Sequence, residues 1–283
     1  TFVMASHGAG STVNLAMADG VGVADALAAN SSTMLLTPSA FARQSLLFQG
    51  VTEDRIAIVP RGVDPGFFRP PSKSERGNLR QRFGWADDFV FLNVSAMTDN
   101  KGVDRLIRAF ATVLTQHPNS RLVLKGVDSI YRSKDRLTGL LRRVSGEVAA
   151  VVEPRITYIG GNYKLIDMTR LYQCADALVA PYLSEAFCSP VLEAAACGLP
   201  SICTQGGPTE EFTSEEYALR IAAHWDPNSR TLVPDETHLA QNMGFVLGDA
   251  AWRERASTIS ADISARRYTW DIATEQLLKA IGL

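Results

Sequence analysis

Residues 176–212 read DALVAPYLSEAFCSPVLEAAACGLPSICTQGGPTEEF. Ala177–Ala180 is an apolar run closed by Pro181, which predicts a strand, and Ser201–Cys203 predicts a second one. Between them Ser189 suits a helix N-cap and Pro190 the first helical position, while Gly198-Leu199-Pro200 ends the helix after Cys197. Strands without polar alternation are covered on both faces, and a helix between two of them makes a parallel crossover. This stretch therefore sets the fold class as α/β with a parallel sheet.

The same alternation extends outward. Thr33–Thr37, Ile56–Val59, Phe89–Val94, Arg121–Leu124 and Ile156–Ile159 read as further strands, Phe89–Val94 being apolar except for Asn93. In residues 103–114, Val103, Leu106, Ile107, Phe110, Val113 and Leu114 follow the spacing of a one-faced helix. Helical patterns also fall at 39–49, 135–144, 165–174, 189–197, 236–247 and 250–264. Prolines 60, 65, 70 and 71 and two glycines gather around RGVDPGFFRPP, residues 61–71, the strongest linker signal in the chain. The division expected is residues 1–60, a linker at 61–72, a doubly wound Rossmann-like domain at 73–268, and a terminal helix at 269–283. Residues 1–30 show no firm periodicity.

Composition narrows the function classes. The chain has 283 residues, 46% of them apolar, and a net charge of -2, which lacks the electrostatic footprint of a nucleic-acid binder. Residues 12–29 come closest to a membrane span, but Asn14, Asp19 and Asp25 interrupt them. Cys174, Cys188, Cys197 and Cys203 form no C-x-x-C pair, and the four histidines lack ligand spacing. The expectation is a cytoplasmic protein without a metal site or bound cofactor.

The chemistry concentrates around the short helix at 189–197. It begins beyond the carboxyl end of a parallel strand, the edge where such sheets bind ligands, and a helix start offers N–H groups to an anion. Glu185 lies in the loop before it and Glu193 in its first turns, with seven residues between them. A carboxylate accepts paired hydroxyl donors, so two acids flanking an anion site fit a sugar, a phosphate and a ribose in a row. An acid near a helix start is also ordinary dipole stabilisation, and spacing alone does not separate the two readings.

The pattern E-A-F-C-S-P-V-L-E resembles the E-x7-E signature of retaining glycosyltransferases of family 4, which share the two-domain GT-B fold. VPRGVDPGFFRP at 59–70 resembles their interdomain linker, and NVSAMTDNKGVDRLIRAF at 93–110 their donor-phosphate loop. RITYIGGNYKLIDMTRLYQCADALVAP at 155–181, GGPTEEF at 206–212 and Tyr268-Thr269-Trp270 are similar too. The resemblance implies a nucleotide-diphosphate-sugar donor and transfer with retention and without metal, in keeping with the absence of a D-x-D pair in the sequence.

Carried position by position, it implies that Glu185 touches the sugar hydroxyls and that the backbone of Ala186, Phe187 and Cys188 lines sugar and phosphate. Val191 and Leu192 would give N–H groups to the diphosphate, Glu193 would bind the ribose, and Asn162 would join the donor site. Lys101 would neutralise the departing diphosphate, a fixed cation at developing charge. The family's arginine five residues before that lysine is replaced by Ala96, and Lys125 at a strand end is the expected substitute. Ala186 and Cys188 stand where the family often has glycine. Arg61 stands for its usual asparagine and is expected to face the cleft, and His7 is a weaker candidate near the donor sugar.

Thr1 opens the chain, and about 60 residues precede the linker, so the expectation is an amino-terminal domain represented only by its end. The acceptor is open: a glycan, lipid or protein, with peripheral membrane contact through the missing part. The alternative reading is a nucleotide-sugar binding module without turnover.

Overall fold

The computed structural model describes residues 3–5, 14–17 and 33–282 of the chain. His7 lies outside the described residues. Near the amino end, β1 (Val3–Ala5), β2 (Asn14–Met17), β3 (Thr33–Thr37) and β4 (Ile56–Ile58) form a four-stranded sheet in that order. β1 pairs antiparallel with β2, and the other pairs are parallel. The β3–β4 crossover is α1 (Ala40–Phe48), capped by Ser39, whose hydroxyl accepts from the Ala42 amide at 2.9 Å. Leu35, Leu46 and Val51 make a small core beneath it.

Beyond the linker, α2 (Lys73–Phe83) leads into β5 (Phe89–Val94), α3 (Val103–Gln116) and β6 (Ser120–Lys125). Three helices follow, α4 (Asp128–Tyr131), α5 (Ser133–Arg143) and α6 (Gly146–Val152), before β7 (Ile156–Ile159). Then come α7 (Leu165–Cys174), β8 (Ala177–Ala180), α8 (Ser189–Ala196), β9 (Ser201–Thr204) and β10 (Ala218–Ile221). The chain ends through a hairpin of β11 (Ala223–Asp226) and β12 (Thr231–Pro234), then α9 (Glu236–Gly248), α10 (Ala250–Arg267) and α11 (Trp270–Ala280).

The second sheet is wholly parallel, in the order β10-β9-β8-β5-β6-β7. Taken from its first strand this is 3-2-1-4-5-6, the doubly wound order that opens a crevice where the winding reverses. Successive strand residues point to opposite faces, and both faces are buried. Val90, Leu92, Val123 and Leu178 join one core layer with Trp85, Leu171, Tyr172 and Val191. Phe91, Leu122, Leu124 and Val179 join the other with Ile107, Phe110, Leu239 and Met243. Sequence and structure agree on the expected α/β fold of GT-B type.

The reversal falls between β5 and β8. Asn93, the single polar residue of β5, is buried there and donates from Nδ2 to the Val179 carbonyl at 2.8 Å, while its Oδ1 accepts from Ser95 at 2.8 Å. A buried amide with donor and acceptor both satisfied is tolerated, and this one pins the two central strands together.

Some local expectations are corrected. Ser189 is the first helical residue of α8, not its cap. The cap position belongs to Cys188, whose backbone is left-handed at φ +68°, and this shifts Pro190 to the second helical position. The helix stop stands: Gly198 has φ +69°, and the Leu199 and Gly198 amides donate to the Ala194 and Ala195 carbonyls, a Schellman closure. The helices α2, α4 and α6, the strand β10 and the β11–β12 hairpin are additions to the elements expected from sequence. α2 has a capping box, the Ser72 hydroxyl accepting from the Glu75 amide at 3.2 Å and the Glu75 carboxylate from the Ser72 amide at 2.7 Å.

Candidate functional site

Two loops leave the carboxyl ends of β5 and β8 side by side and meet over the crevice. The first runs through Ser95 to a 3-10 turn at Asp99–Lys101, and the second is the 181–188 segment. Asn100 joins them. Its backbone carbonyl accepts from the Leu183 amide at 2.7 Å, and its Nδ2 donates to the Ser184 carbonyl at 2.9 Å. Gly102 follows with φ +64°, and a Cβ there would sit 2.0 Å from the Pro181 carbonyl oxygen, so only glycine lets the loops approach this closely.

This clasp brings Lys101 onto Glu185. The ammonium donates to Oε1, and both side chains are about one-fifth exposed. Both line a cleft of about 540 Å³ with Arg61, Ala96, Lys125 and Ser189. The Phe187 ring is not available to a ligand. It is buried and stacked on Phe212 at 4.5 Å between centroids, anchoring the loop so that its backbone, with Ala186 and Cys188, forms the cleft wall.

Cys188 explains one departure from the family pattern. A left-handed residue with a Cβ costs roughly 1–2 kcal/mol, and glycine removes that cost. The position demands a conformation, and the buried thiol occupies it.

Glu193 sits deeper than spacing suggests. On α8 its Oε2 accepts from the Tyr172 hydroxyl at 2.6 Å. Burial pushes its carboxyl above the ordinary carboxylate value, against the opposing effects of the Tyr172 hydrogen bond and the positive charge of Arg61. Tyr172 is fully buried, and burial with the neighbouring carboxylate raises its phenol, so it acts as the donor. Arg61 faces the cleft as expected, with Nη1 3.4 Å from the Ser189 hydroxyl at the start of α8.

The other expected residues fall in different places. Lys125 lies in the cleft floor, but its ammonium donates to the Gly126 carbonyl and, at 2.9 Å, to the Gly161 carbonyl. It also lies 5.2 Å from the centre of the Tyr163 ring, and burial lowers its pKa. Asn162 is exposed and accepts from Ser129 at 2.8 Å, outside the cleft lining. The Val191 amide donates to the Cys188 carbonyl at 3.0 Å, and the Val191 and Leu192 side chains are buried in the core. The four cysteines are buried free thiols.

Sequence reasoning missed Tyr172 as the partner of Glu193, because the apolar face of 165–174 assigns it to the core. It also missed how α1 is held. The Ala40 and Phe41 amides both donate to the Glu211 carboxylate at 2.8 Å, and the Ser39 hydroxyl donates to the Ala186 carbonyl at 2.6 Å. An acid at a helix start is favourable, but nothing in sequence spacing pairs residues 170 apart.

Comparison with known proteins follows the same region. A family model described as glycosyl transferases group 1 matches residues 75–231. A D-inositol 3-phosphate glycosyltransferase of Actinosynnema mirum is 33% identical over 236 residues, covering 81% of this chain and 52% of the relative. The enzyme of the same name from Acidothermus cellulolyticus is 30% identical over 270 residues, covering 92% and 54%. The chain thus spans about half the length of these curated relatives. Among solved structures, Anabaena HepE in complex with UDP-glucose superposes with a TM-score of 0.74 at 19% identity, covering 90% of this chain and 65% of that one. Among the described residues, no helix is long and apolar enough to cross a membrane.

Proposed function

The chain belongs to the glycosyl transferases group 1 family, and from that premise we propose that it carries the donor site of a transferase that moves a sugar from a nucleotide-diphosphate-sugar to an acceptor with retention and without metal. The observation that carries this reading is the meeting of Lys101 and Glu185 at the winding reversal, beside the start of α8. The UDP-glucose held by the Anabaena neighbour supports a nucleotide-sugar donor. Residues 73–268 act as the donor-binding unit, 61–72 as the linker, 269–283 as a terminal helix, and 1–60 as part of an acceptor-side unit. The buried free thiols support a reducing, cytoplasmic setting.

Lys101 and Glu185 neutralise each other as an ion pair. A donor separates their tasks: Glu185 accepts from sugar hydroxyls, and Lys101 moves to the diphosphate. Glu193 accepts from the ribose hydroxyls, and Arg61 stands at the helix start with the adjacent phosphate. Lys125 adds positive potential from the cleft floor without direct contact, in place of the absent arginine at position 96. The bond from the anomeric carbon to the phosphate oxygen breaks as the bond to the acceptor oxygen forms on the same face, and the leaving phosphate takes the acceptor proton. A glycosidase-like carboxylate pair is disfavoured, since Glu193 is tied to Tyr172 at the buried side.

Ala96 in the cleft wall, where the family has arginine, favours a second reading: a nucleotide-sugar binding module without turnover. Isothermal titration with UDP-, GDP- and ADP-sugars, followed by donor-hydrolysis and transfer assays on the parent and on Glu185→Ala, separates the two. Binding with turnover lost in Glu185→Ala supports the transferase. Binding without turnover supports the module, and no binding to any donor refutes both.

A further inference from the structure

Asn100 joins the two loops that carry the Lys101–Glu185 pair. It precedes Lys101 in the chain, and Ser184 precedes Glu185. Its carbonyl accepts from the Leu183 amide at 2.7 Å and more weakly from the Ser184 amide at 3.4 Å, while its Nδ2 donates to the Ser184 carbonyl at 2.9 Å. Each charged residue is therefore one peptide away from the same junction. The amide is held in one orientation. The Thr98 hydroxyl donates to Oδ1 at 2.6 Å, and turning the group over would aim that oxygen at the Ser184 carbonyl oxygen. Other contacts secure the rest of the segment. The Leu183 carbonyl accepts from the Leu232 amide at 2.8 Å, the Ala186 carbonyl accepts from Ser39 at 2.6 Å, and Phe187 is stacked on Phe212. These fix the path of the loop, and the Asn100 side chain fixes the peptide beside Glu185.

We propose that Asn100 is a positioning residue for donor binding: its amide sets the spacing between the Lys101 ammonium and the Glu185 carboxylate so that one molecule reaches both. The proposal rests on the donor reading of that pair. The phosphates meet Lys101 and the sugar hydroxyls meet Glu185, so the two contacts lie on one covalent ligand that dictates the distance between them. Shifting one loop against the other leaves either contact possible alone but not both together, and misplacement by about 1 Å can cost as much as a hundredfold in rate. A nucleoside diphosphate ends at the phosphates and is indifferent to the spacing, whereas a nucleotide-sugar is not. Gly102 lets the loops touch at Pro181, and Asn100 sets the register in which they touch.

The test is titration calorimetry on the full chain with UDP, GDP and ADP, and with UDP-glucose, UDP-N-acetylglucosamine, GDP-mannose and ADP-glucose. Asn100→Ala removes the tie, Thr98→Val frees the amide to turn, and each is also combined with Glu185→Ala. In Asn100→Ala the affinity for the diphosphate stays within about twofold of the parent, while the ratio of nucleotide-sugar to diphosphate affinity falls about tenfold. Thr98→Val moves the ratio the same way by about threefold. In the double variant with Glu185→Ala, Asn100→Ala leaves the ratio where Glu185→Ala alone puts it, because one end of the spacing is already gone. A role in folding alone would lower the thermal midpoint and both affinities together, in either background, and would overturn the inference. So would an unmoved ratio in Asn100→Ala, an additive fall in the double variant, or a parent that binds a diphosphate but none of the nucleotide-sugars. If the parent binds none of these ligands, the donor reading itself falls and the inference with it, so the two failures are distinct.

Discussion

Replacing Tyr172 with phenylalanine removes one hydroxyl and leaves the ring in its packing against Phe68, at 6.1 Å between centroids. The hydroxyl donates to a buried carboxylate at 2.6 Å, and a hydrogen bond to a charged group contributes about 1.5–3 kcal/mol. The bond favours the charged carboxylate, so its loss raises the Glu193 pKa. Glu193 already lies above the ordinary carboxylate value because it is buried, and the variant moves it further up. The charged form that accepts from a ribose is then lost at higher pH. The assay is nucleoside-diphosphate affinity by titration calorimetry from pH 5 to about 9, beside the thermal midpoint. In Tyr172→Phe the acid limb of the affinity profile shifts to higher pH, and affinity recovers toward the parent value at alkaline pH. A deoxyribose nucleotide, lacking a hydroxyl to donate, shows a smaller shift. A lowered midpoint with an unmoved affinity profile would mean that the hydroxyl serves packing alone, and would refute the reasoning.

Lys101→Ala removes the cation at the departing diphosphate and is expected to lower turnover by about 10²–10³-fold, measured as donor consumption under single-turnover conditions; an unchanged rate excludes its proposed role. Asp176 accepts from Arg76 at 2.7 Å, Arg80 at 2.9 Å and the Val90 amide at 2.8 Å, so Asp176→Ala leaves two guanidinium groups with backbone carbonyls but no counter-charge there and is expected to cost about 2–4 kcal/mol in urea unfolding. Glu75 is held at about 2, well below its ordinary 4.5, first by the hydrogen bond from Arg69 and then by those from Ser72. Its folded-state pKa is depressed, so its stabilisation is complete above about 4.5 and disappears as pH falls toward 2. The gap in thermal midpoint between parent and Glu75→Gln therefore closes across that window, and a pH-independent gap would contradict the assignment.

How much of this was legible in the sequence depends on what held each element. The strands at 89–94 and 177–180 and the helix at 165–174 match their expected bounds, because burial on two faces or along one stripe leaves a plain apolar pattern, and the half-buried edge strand at 156–159 matches as well. α2 left no such pattern. It is polar, with no fully buried residue, and beside the partly buried Leu79 and Phe83 it is tied down by Arg76 and Arg80 on Asp176, a pairing across about a hundred positions. Its capping box at Ser72 and Glu75 was readable but lay against the proline-rich linker. In the site, Lys101 and Glu185 were legible as separate candidates, but their contact needed the strand order that sets β5 beside β8. Phe187 and Cys188 were legible as motif positions; the left-handed backbone at Cys188 was signalled only by the glycine common at that position, since a cysteine itself gives no sign of it.

The Glu211 clamp on α1 gives the molecule an internal clock. The Ala40 and Phe41 amides have a single carboxylate as their shared acceptor, so they exchange with solvent whenever α1 lifts away from residues 208–211. Their exchange rates count those departures directly, without a label. Ser39 reaches from the same helix end to the Ala186 carbonyl, inside the wall of the proposed donor cleft, so occupancy of that cleft bears on the count. A ligand that stiffens the 184–188 loop slows exchange at two amides it never touches, and the ratio of the two rates measures the coupling between cleft and helix.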